Sequence, residues 1–139
     1  MRSIALAAAL LVGGLLLAPA CDEPPPLVPA SSDPQGKDLV KGAVVAAAES
    51  SGGIRLYKIV HVDDYPPPIG TELHMIAYDP KVDTFQDAAL LWKRKQGLKI
   101  IVDHVHVQIS PFLTRDHRVL LQEPVTDEEL APYKKSKRQ

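Results

Sequence analysis

From residue 38 onward the chain alternates short apolar runs with turn-forming residues, the signature of strands in sequence and not of a helical bundle. "LVKGAVVAAAE" (39–49) is small and β-branched, "SSGG" (50–53) is a turn, and "IRLYKIVHV" (54–62) is rich in strong β formers, so the two runs read as a hairpin. "DDYPPPIGT", from Asp63 to Thr71, holds three successive prolines that supply no backbone donors, which predicts a surface loop. "ELHMIAYD" (72–79) reads as the third strand, with Leu73, Met75 and Ala77 on one face and His74, Ile76 and Tyr78 on the other. In "LKIIVDHVHVQI" (98–109) the apolar parity changes: Ile100 and Val102 share one phase, Val105, Val107 and Ile109 the other. That change predicts a bulge or bend near Asp103. "HRVLLQEP" supplies a short fifth strand.

One stretch breaks the strand pattern. "TFQDAALLWKRKQG" (84–97) has Phe85, Ala88 or Ala89, Leu91 and Trp92 at helical spacing, Thr84 to cap its start, and Asp87 to reach back toward it. Lys93, Arg94 and Lys95 suit the negative end of the helix dipole, and Gly97 suits a left-handed residue just beyond. "TDEELAPY" closes the domain with a helical turn that Thr126 and Glu129 would cap, and the basic residues of 134–139 read as a disordered tail. The fold expected is mainly β within the α+β class: a small, bent, five-stranded sheet or an SH3-like partly open barrel, with one helix. The opening hairpin, "KGAVVAAAESSGGIRLYKIVHV", resembles the first strands of SH3-like barrels; that likeness concerns fold alone.

Ahead of the domain, Arg2 and the apolar stretch from Ile4 to Ala18 have the layout of a secretory signal, and the stretch is too short to span a bilayer. "Ala18-Pro19-Ala20" fits the small-x-small site of ordinary signal peptidase. "Leu17-Ala18-Pro19-Ala20-Cys21" resembles a bacterial lipoprotein lipobox, although Ala18 stands where that family usually has leucine. The resemblance implies that Cys21 becomes the first mature residue and carries a diacylglyceryl thioether with an amide-linked acyl chain such as palmitate. The cysteine count agrees with it, because a single cysteine in an exported chain has no partner for an internal disulfide. "DEPPPLVPASSDPQG" (22–36) then reads as an extended, solvated tether. The organisation expected is a signal peptide over 1–20, the lipidated cysteine and tether over 21–37, the domain over 38–133 and the tail over 134–139. Such a protein sits in the cell envelope or periplasm, on the inner or outer membrane; Asp22 resembles the inner-membrane retention residue of some enteric lipoproteins.

Charge changes the picture of partners. The chain has 16 basic and 17 acidic residues, but Arg2 lies in the leader and Lys134, Lys135, Lys137 and Arg138 crowd the end. The body between carries about −6, the opposite of the basic surface that nucleic acid requires.

Catalytic signatures are missing: there is no glycine-rich phosphate loop, no Gly-x-Ser-x-Gly, no His-Glu-x-x-His and no second cysteine. Asp63–Asp64 and Asp127–Glu128–Glu129 read as solvated turn and helix-start residues. The histidines form the one cluster with chemistry in reach. His104 and His106 lie two apart on a strand and project from one face, and His61, His74 or His117 would join them under suitable strand pairing. Three histidines with water in the fourth position make a zinc site; the alternative is a row of exposed strand residues beside buried valines.

Three functions follow. The first is a non-catalytic, membrane-tethered module, needing no cofactor, that binds an envelope protein or glycan through Asp64, Tyr65 and Ile69 of the proline loop. The second is an immunity protein or inhibitor acting on a toxin or hydrolase. The third is a histidine-based metal-binding protein using His104 and His106.

Overall fold

The computed structural model describes residues 24–139. The leader and Cys21 lie outside the described residues, and among the described ones no helix is long and apolar enough to cross a membrane. The turn at 50–53 closes the expected hairpin: β1 (Ala43–Ala48) pairs antiparallel with β2 (Ile54–Asp64), starting from Ala48 opposite Ile54. Gly52 and Gly53 both take positive φ there, 94° and 78°, which a side chain would resist. β2 runs two residues past the expected end, placing Asp63 and Asp64 opposite Glu72 and Thr71 of β3 (Thr71–Asp79). Both aspartates therefore belong to a ladder, and the loop shrinks to residues 65–70, closed by Tyr65 N–H donating to the Gly70 carbonyl at 3.0 Å.

With β4 (Lys99–Gln108) and β5 (His117–Gln122) the sheet has the order β4-β3-β2-β1-β5, antiparallel throughout. The sheet is not closed, and the mainly β, five-stranded α+β architecture expected from the sequence forms. Because β1, β2 and β3 are apolar in both phases, both faces of the sheet carry core. The first face holds Val45, Tyr57, Ile59, Leu73 and Met75 under Phe112 of α2 (Ile109–Leu113). The second holds Val44, Leu56, Val60, Ile76 and Tyr78 under α1 (Phe85–Arg94) and α3 (Asp127–Ser136).

Among the described residues there are three helices, where one was expected. In α1, Thr84 caps Asp87 N–H at 3.0 Å and Trp92 is 5% exposed, as its spacing required. The left-handed residue directly after the helix is Lys95 (φ 60°), with Gly97 in the turn that follows. The closing turn extends into the whole of α3, so Lys134 and Lys135 are helical and the expected tail is reduced to its last three residues. Its capping box is reciprocal: Glu129 N–H donates to Thr126 Oγ1 at 3.1 Å, and Thr126 N–H to Glu129 Oε1 at 3.0 Å. Buried Lys58 fastens this helix start to the sheet, donating to the Pro124 carbonyl at 2.9 Å and to Glu129 at 3.0 Å.

The tether is shorter than its composition suggests. Leu39 is core, and Gly36 packs so closely that a Cβ would lie 2.9 Å from Leu113 and 3.1 Å from Ile109. The folded part therefore begins near Asp33, whose side chain and carbonyl accept from Gln35 and Gly36.

Two strands carry the irregularities that set up the site. In β4, Val105 faces Met75 and Val102 faces Ala77, so the residue pair Asp103–His104 stands against Ile76 alone, where the parity change predicted a bulge. A second shift isolates Ile101. In β2, Ile59 faces Met75 while His61 faces His74, leaving Val60 as the extra residue.

Candidate metal centre

The bulge at Val60 decides which histidines meet. Simple alternation would place His61 on the face of Ile59; the inserted residue turns it to the other, beside His74. His74 in turn stands opposite His106, so a row of three imidazoles crosses β2, β3 and β4 on one face, with His104 beside it. The rings of His104 and His106 lie nearly parallel to that of His74, at centroid distances of 5.2 and 5.0 Å. Tyr133 of α3 stacks on His61 at 4.3 Å and tilts against His74 at 4.6 Å, covering the row. His117 does not join: it is buried beside Phe112, with Nδ1 2.8 Å from the Arg115 carbonyl oxygen.

Two carboxylates complete the cluster. Asp63 Oδ2 is 3.0 Å from His74 Nε2 and Asp63 Oδ1 is 3.1 Å from His61 Nε2, while Glu72 Oε2 is 2.8 Å from His106 Nε2. Lys137 reaches Asp63 at 2.9 Å and donates to Tyr65 Oη at 2.8 Å. Burial would raise the Asp63 carboxyl, but the hydrogen bond and charge of Lys137, helped by His61 and His74, outweigh it and hold Asp63 at about 2. Burial, helped by the charges of His106 and His104, lowers His74 although Asp63 raises it, and burial together with His106 lowers His104. Both imidazoles are thus disposed to be neutral, the form that binds metal.

Protonation follows from the partners. An ionised carboxylate only accepts, so His74 donates its Nε2–H to Asp63 in a hydrogen bond and keeps the lone pair on Nδ1. That lone pair accepts from His104 Nε2 at 2.9 Å. An acidic oxygen that orients a histidine so that its other nitrogen presents a lone pair is the usual support of a metal ligand.

Glu72, His74 and His106 each present one donor atom, all within 4.8 Å of one another. Ligand atoms around a tetrahedral zinc ion stand about 3.3 Å apart, so modest side-chain rotation closes the set. His106, half exposed, has the freedom to make that adjustment, while His74 is fixed. Two imidazoles with one carboxylate suit zinc and its transition-metal neighbours better than calcium or magnesium.

Of the residues singled out in the sequence, His104 and His106 both lie in this cluster; Cys21 lies outside the described residues. Asp64 accepts from Thr71 Oγ1 at 2.7 Å across the loop, and Tyr65 is turned toward Asp63 and Lys137. Ile69 is 49% exposed. The pattern missed Glu72, Asp63, Tyr133 and Lys137, since a strand-start acid, a loop acid and a tail carry no motif. No family model matches the chain, and neither curated proteins nor solved structures yield a match.

Proposed function

We propose that this chain is an exported, lipid-anchored envelope protein whose domain binds one divalent transition-metal ion through Glu72, His74 and His106, with His104 or water in the fourth position. The observation that carries the reading is the convergence of those three donors on one face of the sheet, with Asp63 orienting His74 from behind. Two hydrogen bonds, Glu72 to His106 and His74 to His104, hold the places that metal–ligand bonds take, so loading breaks both. The role is binding and not catalysis. The proline loop enters as a wall of the same site, because Tyr65 shares Lys137 with Asp63.

The anchor half of the reading rests on the lipobox-like leader and its single cysteine. Intact mass and elemental analysis of the mature protein, purified without chelators, test both halves. Acyl mass on a chain beginning at Cys21 and about one zinc-class ion per chain are expected. An unacylated mass refutes the anchor, and a metal-free protein that takes up no added zinc refutes the site.

A further inference from the structure

The described end of the tether lies against the domain. The Pro26 carbonyl accepts from Gln86 of α1 at 3.2 Å, and Pro26 and Leu27 line a groove of about 320 Å³ with Ala89, Trp92, Lys95 and Leu121. Pro26 lies only five residues beyond Cys21, a span of at most about 18 Å. An acylated Cys21 therefore holds this side of the domain next to the bilayer.

What that side exposes is suited to lipid. Arg94, Lys95 and Lys99 are all exposed, in the short stretch that links α1 to β4. Lys95 lines the groove with Leu27, which is 93% exposed, and Lys99 is followed along β4 by Ile100 at 57% and Ile101 at 44% exposed. The shift in β4 at Ile101 spoils this edge as a template for another strand, so its apolar residues are not explained by strand addition. Cations interleaved with apolar side chains match a headgroup layer, where the charges meet phosphate and the apolar tips reach the acyl boundary.

We propose that the α1–β4 junction, from Arg94 to Ile101, is a docking surface for an anionic bilayer, resting on the anchored reading of Cys21. His106 lies seven residues along β4 from Lys99, roughly 23 Å at strand rise, so docking at one end leaves the histidine row at the other.

Trp92, the only tryptophan, lines the same groove and serves as an energy-transfer donor to dansyl-headgroup lipid. The mature full-length chain is placed on vesicles of phosphatidylcholine alone or of phosphatidylcholine with phosphatidylglycerol. Transfer rises on the anionic vesicles and falls with added salt. Arg94→Gln with Lys99→Gln lowers the docked-to-undocked ratio about 30-fold, at about 1 kcal/mol per cation near an anionic surface. Both positions are exposed, and an unchanged melting temperature confirms that the variant is folded. Anchored protein whose transfer is equal on both lipids, or insensitive to the substitutions, overturns the docking surface. Protein that fails to associate with phosphatidylcholine vesicles shows instead that the anchor is wrong. In that case uptake by the anionic vesicles with the same charge dependence still supports the surface, and no uptake overturns it.

Discussion

Lys58→Met tests whether α3 is held over the histidine row by the buried lysine. The side chain is only 4% exposed and its ammonium serves the Pro124 carbonyl, Glu129 and, at 3.7 Å, Glu123. Methionine keeps the length and removes all three contacts. A backbone carbonyl left without its donor costs about 1 kcal/mol, and a charge-assisted bond to a carboxylate about 1.5–3. The lower end applies to Glu129, which is 19% exposed and takes on water once the lysine is gone. Removing the lysine also relieves its own desolvation, which trims this loss. The net loss is about 2 kcal/mol, or roughly 10 °C in melting temperature for a domain near 100 residues. Thermal unfolding by circular dichroism reads the total. Native-state hydrogen exchange locates it: amides of α3 exchange faster, while those of β2 and β3 change only with global stability. A variant with unchanged melting temperature and unchanged α3 exchange refutes the argument that Lys58 fastens this helix.

Trp92→Ala removes a side chain that packs edge-on to Tyr78 at 5.2 Å and donates to Glu123 at 2.8 Å; a loss of about 3–5 kcal/mol is expected, and wild-type emission typical of water-exposed indole would contradict the packing. Glu129 is raised by burial but lowered further by the Thr126 backbone and by Lys58, so its folded value lies below its unfolded one. The stability it contributes is complete above the unfolded value near 4.3 and is lost as pH falls through the folded value, so Glu129→Gln flattens the decline of melting temperature below about pH 4.5. In Lys137→Ala, the Asp63 carboxyl, held at about 2, moves up toward the ordinary range near 3.9; a carbon-detected titration that finds it unmoved shows that Lys137 is not its partner.

Much of the sheet was legible because its residues obey local rules. The alternation of Leu73, Met75 and Ala77 against His74, Ile76 and Tyr78 is realised as read, and the parity change around Asp103 marks a true irregularity. His104 and His106 were legible as a pair for the same reason. Their partners were not, since His61 reaches the row only through the Val60 bulge, and the register that sets His74 opposite His106 is a tertiary fact. α3 was under-read because Pro132 and the lysines that follow mask its length, and its capping box carried the signal that it was a full helix. Asp63 looked like a loop residue beside three prolines; pairing with Glu72 keeps it in β2 and turns it to His74.

Crystals of the mature chain soaked in zinc, with the ion located by anomalous scattering, decide whether the histidine row holds a metal. One strong peak is expected, bonded to a carboxylate oxygen of Glu72 and to imidazole nitrogens of His74 and His106 at about 2.0–2.2 Å, and absent in His106→Ala. A peak elsewhere, or none while the protein remains folded, contradicts it.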